Sequence, residues 1–190
     1  MNGVSRTLLA AAVLIPVAGM AQERPQQSQF SYNYVEVSYD EIDIDDVDGD
    51  GLTLSGSFEI TDDWHAYASY GSYDLDFGID VDTWMIGAGY SYPIRSGVDL
   101  YGRVLYIDSS VDAGPVNADD DGLGLQFRIR GRVNDALELE GGVQYVDVGE
   151  SDTSLTAGAR YHFNSAFSTG VALTFGGDTD GIGINARYSF

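Results

Sequence analysis

Residues 122–133, GLGLQFRIRGRV, alternate between apolar and polar side chains with a period of two. The apolar positions include Leu123 and Ile129, and the intervening positions include Arg128, Arg130 and Arg132. Successive side chains of a β-strand point to opposite faces of the sheet. This stretch therefore predicts a strand with one apolar face and one basic face.

The same period of two recurs along the chain from residue 30 onward, without a convincing helical period of 3.6 residues. We predict ten strands, which cover residues 30–40, 51–60, 64–74, 82–92, 98–108, 122–133, 137–148, 153–163, 167–176 and 182–190. Both histidines and ten other charged residues fall on the polar positions of these strands. They are His65, His162, Arg103, Arg128, Arg130, Arg132, Arg160, Arg187, Glu36, Glu59, Glu138 and Glu140.

The connections between these strands alternate in kind. Five are acidic and rich in glycine, and four are shorter and turn-like. The acidic ones cover residues 41–50, 75–81, 109–121, 149–152 and 177–181, and the shorter ones cover 61–63, 93–97, 134–136 and 164–166. Short periplasmic turns and longer outer loops are typical of membrane barrels. We therefore expect the acidic connections to be extracellular loops and both termini to be periplasmic.

Alternation by itself also fits a soluble sandwich or a lipocalin-like barrel. Here, however, the apolar face persists through all ten strands, and the polar face carries many glycines, which a solvent-facing strand has no reason to select. Aromatic residues cluster at both ends of the strands, as in the girdles of outer-membrane barrels. The sequence thus predicts an all-β, antiparallel up-and-down transmembrane β-barrel with ten strands, and eight strands is the alternative.

The first 21 residues form a separate segment. Arg6 is followed by the apolar stretch 7–18 and by small residues at positions 19 and 21, the pattern of a secretory signal peptide. We expect residues 1–21 to be that signal peptide and residues 22–190 to be one barrel domain in the outer membrane of a Gram-negative bacterium.

The net charge of the chain limits the classes of partner that it can bind. Nine basic residues, all arginine, oppose 30 acidic ones, and the formal net charge is −21. A polyanion of this kind repels nucleic acid, so nucleic acid is excluded as a partner. The chain has no cysteine, so it has no disulfide framework.

Several motifs carry a family resemblance. They are the opening FSYNYVE at residues 30–36, the acidic segment ending in DGDG at 48–51, WMIGAGY at 84–90 and the terminal ARYSF at 186–190. With them the chain resembles the small outer-membrane β-barrel surface proteins of Gram-negative bacteria, and most of all the xanthomonad surface-antigen subgroup. The resemblance covers nearly all of residues 22–190 and implies no enzymatic activity.

The last strand is similar to the C-terminal recognition signal of outer-membrane proteins. Phe190 is a terminal aromatic residue, and Tyr188 and apolar residues occupy alternate positions before it. The resemblance implies that the barrel-assembly machinery inserts the chain through this signal.

The sequence offers little for catalysis or for binding a metal. His65 and His162 lie beside short turns, so neither can join a hydroxyl nucleophile at the outer rim. We therefore predict that the protein is not an enzyme, and we predict no cofactor. Asp46, Asp48 and Asp50 match the first half of a calcium loop, but the bidentate glutamate is missing. A weak divalent site there stays open beside the alternative of a solvated acidic loop.

The remaining charges suggest two functions. Arginine and glutamate side chains that share a narrow lumen need one another, and we expect Arg132 opposite Glu138 and Arg130 opposite Glu140. Together with Glu59, such a network would fill the barrel. The protein would then act as a surface protein through its acidic loops, in contact with outer-membrane lipids, lipopolysaccharide, divalent cations or host surface ligands. The alternative is a narrow porin-like channel.

Overall fold

Ten strands form in the computed structural model, which describes residues 28–44, 47–177 and 179–190. The prediction of ten antiparallel strands is confirmed, and eight strands is wrong. The strands are β1 (Tyr34–Ile44), β2 (Val47–Glu59), β3 (Trp64–Leu75), β4 (Ile79–Arg95), β5 (Val98–Ala113), β6 (Val116–Arg132), β7 (Leu137–Val148), β8 (Glu150–His162), β9 (Phe167–Phe175) and β10 (Thr179–Ser189). No helix in the described part of the chain is long and apolar enough to cross a membrane.

Each strand pairs with its neighbours in sequence, and β1 closes the barrel against β10 through antiparallel pairs from Tyr34↔Ser189 to Ile44↔Thr179. The barrel has two distinct ends. At the "turn end", β1 begins, β10 ends, and four connections lie, at 60–63, 96–97, 133–136 and 163–166. At the "hairpin end", the other five connections join the strand pairs. The predicted signal peptide lies outside the described residues.

The acidic segments at the hairpin end are mostly strand, so their prediction as loops is wrong. Strands β5 and β6 stay paired as far as Ala113↔Val116, and β1 and β2 as far as Ile44↔Val47. Asp and Gly are depleted in strands, which is why the sequence suggested loops. Continuing the ladder, however, satisfies the backbone N–H and C=O groups. Gly114 and Gly149 close two of these hairpins with φ of 72° and 65°, in the left-handed region that favours glycine.

The outward face of the barrel is apolar and exposed. Six apolar strand residues are all exposed, from 61% at Leu54 to 39% at Leu125; the others are Val104, Leu139, Val171 and Ile184. In a soluble barrel such side chains would be buried inside. This inverted arrangement excludes the soluble sandwich and the lipocalin-like barrel.

Aromatic rings mark the two edges of the apolar face. Near the turn end, Trp64 packs edge-on against Tyr90 with ring centroids 5.2 Å apart. Near the hairpin end, the rings of Tyr70 and Trp84 lie 4.6 Å apart, and the Tyr70 hydroxyl donates to Asp82 at 2.7 Å. Two such belts, with polar tips toward water, are typical of a barrel that spans a bilayer.

Residues 28–33 are not strand, so the prediction that the first strand begins at residue 30 is wrong. The pairing of β1 with β10 ends at Tyr34↔Ser189, beyond which the Phe190 N–H donates to the Asn33 carbonyl. The segment folds into the turn end instead and buries Phe30 and Tyr32, which are 5% and 2% exposed. We call residues 28–33 the N-terminal plug.

Candidate functional site: the barrel interior

Six strand arginines occupy positions that face the lumen, namely Arg103, Arg128, Arg130, Arg132, Arg160 and Arg187. The whole residues Arg103 and Arg130 are 7% and 4% exposed. The side chains of Arg128, Arg160 and Arg187 are 19%, 12% and 10% exposed. An arginine that faced the bilayer midplane would cost about 2–4 kcal/mol. Strand parity thus brings six of the nine arginines of the chain together in one interior.

The register between β6 and β7 places Arg132 opposite Glu138 and Arg130 opposite Glu140, as the tight turn predicts. Each ion pair, however, is offset by two residues from this register. Arg130 binds Glu138 at 2.6 Å, and Arg128 binds Glu140 at 2.8 Å. The prediction of directly opposite ion pairs is therefore wrong. Diagonal neighbours on a sheet are within reach of long side chains, and this slip leaves Arg132 without a carboxylate among the described residues.

Glu36 on β1 joins two arginines from other strands. Its Oε2 atom accepts hydrogen bonds from Arg160 of β8 at 2.6 Å and from Arg187 of β10 at 2.8 Å. Strands β1 and β8 are not neighbours in the sheet, so the bond to Arg160 crosses part of the lumen. The guanidinium of Arg187 also lies 3.8 Å from the centre of the Tyr34 ring.

Arg103 is buried, and no carboxylate in the described part of the chain forms an ion pair with it. It donates to the Tyr34 hydroxyl at 3.0 Å and to His65 Nε2 at 3.1 Å. Its guanidinium lies 4.1 Å and 4.9 Å from the ring centres of Tyr67 and Tyr101. Cation–π contacts of this kind partly offset the loss of hydration. Sequence reasoning missed this aromatic cage, although its tyrosines share the parity of the charged residues.

The N-terminal plug is held by stacking and by a carboxylate. Tyr32 stacks on His65 with ring centroids 4.6 Å apart, and Arg130 lies 4.4 Å from the centre of the Phe30 ring. Glu59 accepts hydrogen bonds from the Tyr32 backbone N–H at 2.7 Å and from Asn33 Nδ2 at 3.0 Å. Glu59 therefore binds the plug, and the prediction that it joins the arginine ladder is wrong.

Asp99 is a second anchor that sequence reasoning missed. It lies on β5, is 1% exposed and accepts hydrogen bonds from the hydroxyls of Ser28 and Tyr32. Asp99 lies two residues after a predicted turn, and nothing in the sequence distinguishes it from the many surface aspartates. Its burial follows only from where the plug lies.

The lumen toward the hairpin end is filled by apolar and neutral side chains. Leu105 and Ile107 are 1% and 2% exposed, and Gln126 donates to Gln144 at 2.7 Å. A Cβ added to Gly124 would lie 2.8 Å from Ile107 Cδ1, so glycine there makes room for the isoleucine. The sequence did not reveal this layer because β5 is apolar on both parities at this point.

The carboxylates of the hairpin end lie on neighbouring strands beyond the aromatic belt. In the register, Asp74 lies opposite Asp80, and Asp80 lies opposite Asp112. Partial desolvation and the neighbouring Asp74 raise the pKa of Asp80 above its ordinary value. We call Asp74, Asp80 and Asp112 the acidic row. Like charges placed directly opposite destabilise a sheet, so the barrel holds these charges at some cost to its stability.

The calcium-loop match is only partly within the described residues, because Asp46 lies outside them. Asp48 and Asp50 line a cavity of about 680 Å³ at the hairpin end together with Glu41, Asp74 and Asp180. Within residues 28–44, 47–177 and 179–190, no group of three or more His, Cys, Asp or Glu side chains is arranged to hold a metal ion.

Both histidines belong to the lumen network. His65 accepts a hydrogen bond from Arg103, and His162 Nε2 lies 3.0 Å from Glu138 Oε2. Each therefore contacts a charged side chain near the turn end. Among the described contacts, neither imidazole lies against a hydroxyl group that could act as a nucleophile.

The terminal aromatic residues of the predicted assembly signal face outward. Tyr188 and Phe190 are 42% and 61% exposed. The Tyr188 ring lies 5.0 Å from that of Phe167, and the Phe190 N–H donates to the Asn33 carbonyl at 3.1 Å. The last residue thus caps the seam between β1 and β10.

Comparisons with known proteins agree with this geometry. Residues 7–190 match the family model described as outer membrane protein beta-barrel domain. A KdgM porin in complex with disordered oligogalacturonate is 7% identical with a TM-score of 0.51, over 83% of this chain and 99% of that one. Neisserial surface protein A is 17% identical with a TM-score of 0.47, over 84% and 98% of the two chains.

The NanC porin is 7% identical, with a TM-score of 0.49, and the match covers 82% of this chain and 98% of that chain. No curated protein matches the sequence. At such low identities the likeness to solved structures concerns the fold alone.

Proposed function

Because this chain belongs to the outer membrane protein beta-barrel domain family, we propose that it is a closed barrel that acts at the cell surface through its hairpin end. In this orientation the turn end faces the periplasm. We further propose that residues 1–21 are a signal peptide, that the chain belongs with the xanthomonad surface-antigen subgroup, and that it is not an enzyme.

The observation that carries this proposal is that side chains meet across the lumen. Arg103 of β5 bonds to Tyr34 of β1, four strands away, and Arg160 of β8 bonds to Glu36 of β1. The N-terminal plug then stacks beneath them on His65. Contacts between distant strands occupy the space that a solute would need, and their opposite charges cancel much of the field that would attract one.

The hairpin end supports the surface role. Its strands carry carboxylates beyond the outer aromatic belt, where lipopolysaccharide head groups, divalent cations and external ligands are found. The acidic row repels itself within the sheet. Natural proteins retain such destabilising features where function uses them. We therefore propose that cationic groups, whether divalent ions or basic host ligands, are the partners of this end.

The first test is electrical. Purified protein in planar bilayers is expected to give no steady conductance above that of the lipid, because the lumen is crossed by the contacts of Arg103 and Arg160. The control is the same preparation with folding verified by its resistance to protease. Steady single-channel steps from the folded protein would overturn the closed barrel and establish the alternative, a narrow porin-like channel.

The second test concerns the acidic row. A triple variant in which Asn replaces Asp74, Asp80 and Asp112 is expected to bind an oligolysine probe more weakly at low salt, because three carboxylates are lost. The difference in probe binding between the variant and wild type should vanish at 1 M salt, where the screening length is about 3 Å. The measurement is fluorescence anisotropy of the labelled probe.

The matched control is the double variant Asp62→Asn and Asp63→Asn, which removes exposed carboxylates at the turn end. With the probe added only to the hairpin side of oriented proteoliposomes, this control should bind like wild type. Equal binding by the triple variant would contradict a role for the acidic row.

A further inference from the structure

A cavity of about 690 Å³ opens at the turn end. It lies between the N-terminal plug and the turn-end residues of β6, β7, β8 and β10. We call it the turn-end cavity. Its volume lies within the ~300–1,000 Å³ of typical small-molecule sites. The Phe30 ring lines the cavity, and Arg130, Arg132 and Arg187 provide charge.

Arg132 is the unusual member of this set. Its register partner Glu138 already binds Arg130 and His162. Within the part of the chain that the structure describes, Arg132 has no ion pair, and its Nε atom is buried without a hydrogen-bond partner. Its guanidinium lies 5.4 Å from the centre of the Phe30 ring. Because the Nε atom is enclosed, an arriving acceptor would meet the terminal Nη groups, which form no ion pair with a described residue.

We propose that the turn-end cavity binds the carboxylate of a small periplasmic ligand, and that Arg132 is the residue that recognises it. The planar guanidinium presents parallel N–H groups that match a carboxylate in a bidentate geometry. The Phe30 ring packs against the apolar part of the ligand. Glu138 and Asp135 also line the cavity, and their negative charge disfavours a doubly charged phosphate. A monoanionic carboxylate such as a short peptide terminus therefore fits best.

The test uses the full folded barrel in detergent and isothermal titration with three probes: acetyl-alanyl-alanine with a free carboxylate, the same dipeptide as its C-terminal amide, and inorganic phosphate. The free acid is expected to bind, and the amide is expected to bind at least tenfold more weakly. Binding of phosphate as tight as that of the acid would overturn the assignment to carboxylates, and binding of neither acid nor phosphate would overturn the site.

The variant Arg132→Gln is expected to weaken binding of the acid at least tenfold. Because Arg132 makes no ion pair with a described residue, this variant should fold, which circular dichroism checks. The matched control is Arg95→Gln, which removes an exposed arginine from the end of β4 at the same end of the barrel and should bind like wild type. Unchanged affinity in Arg132→Gln would contradict the proposal. Bilayer conductance tests the closed barrel separately, so either idea can fail alone.

Discussion

Replacing Glu138 with Gln is expected to destabilise the barrel by about 3–5 kcal/mol, the cost of leaving a buried charge without its partner. Glu138 and Arg130 form a deeply buried ion pair in the described lumen. Their side chains are 2% and 4% exposed. Glutamine keeps the shape but not the charge, so the Arg130 guanidinium loses its counter-ion. The measurement is urea unfolding in lipid vesicles, followed by tryptophan fluorescence.

Two further variants make this prediction specific. The double variant Glu138→Gln with Arg130→Met removes both charges and should recover much of the loss, because the destabilisation comes from the unpaired partner. Glu150→Gln, at an exposed position of the hairpin end, is the control and should unfold like wild type. If the single and double variants unfold alike, the pair does not carry the stability assigned to it.

A smaller effect is expected for Glu140→Gln. The side chains of Arg128 and Glu140 are 19% and 24% exposed, so water screens the charge that remains. In the closed barrel this variant should lose some stability and show at most slight leakage of anions. The ranking of the two glutamates thus follows from burial, although both face the same lumen.

Deleting Phe190, or replacing it with Lys, is expected to remove most of the protein from the outer membrane. The terminal aromatic residue and the alternating residues before it form the predicted signal for the barrel-assembly machinery. Phe190 also bonds to the Asn33 backbone at the seam, but one hydrogen bond contributes only about 0.5–1.5 kcal/mol. A near-complete loss would therefore reflect failed assembly. Cell fractionation with immunoblotting measures it.

The matched control is Phe163→Lys. Phe163 is 64% exposed and Phe190 is 61% exposed, and both lie on the outward face near the turn end. The two lysine variants thus place the same charge in similar surroundings. Near-normal outer-membrane levels of the Phe163 variant, with loss of the Phe190 variant, would assign the effect to the end of the chain. Equal levels of both would count against the assembly signal.

The sequence was sufficient to predict strand number and parity because a membrane barrel obeys one rule along every strand. Leu54 and Arg130 face opposite sides for the same reason, namely the two-residue period of the pleat. The tight turn at 133–136 likewise fixed the register of β6 against β7. These features depend on neighbours close in sequence, where pattern and geometry are directly linked.

The errors arose where geometry depends on distant parts of the chain. The diagonal pairing of Arg130 with Glu138 depends on where other side chains leave space in the lumen. The plug pairs Tyr32 with His65, which belongs to another strand, and no local pattern distinguishes a plug from an extended strand. Arg103 was expected to need a carboxylate, but aromatic rings from β1, β3 and β5 surround it instead.

The seam between β1 and β10 has a consequence for the order of folding. Arg187 and Glu36, which bond across it, are 151 residues apart in sequence. Closing a loop of that length is entropically costly, and contacts between distant residues slow folding. The first strand cannot complete its pairing without the last, so any sheet that forms before closure is open. Its two unpaired edges would be prone to pair with other chains. The cell must therefore shield these edges until the barrel closes.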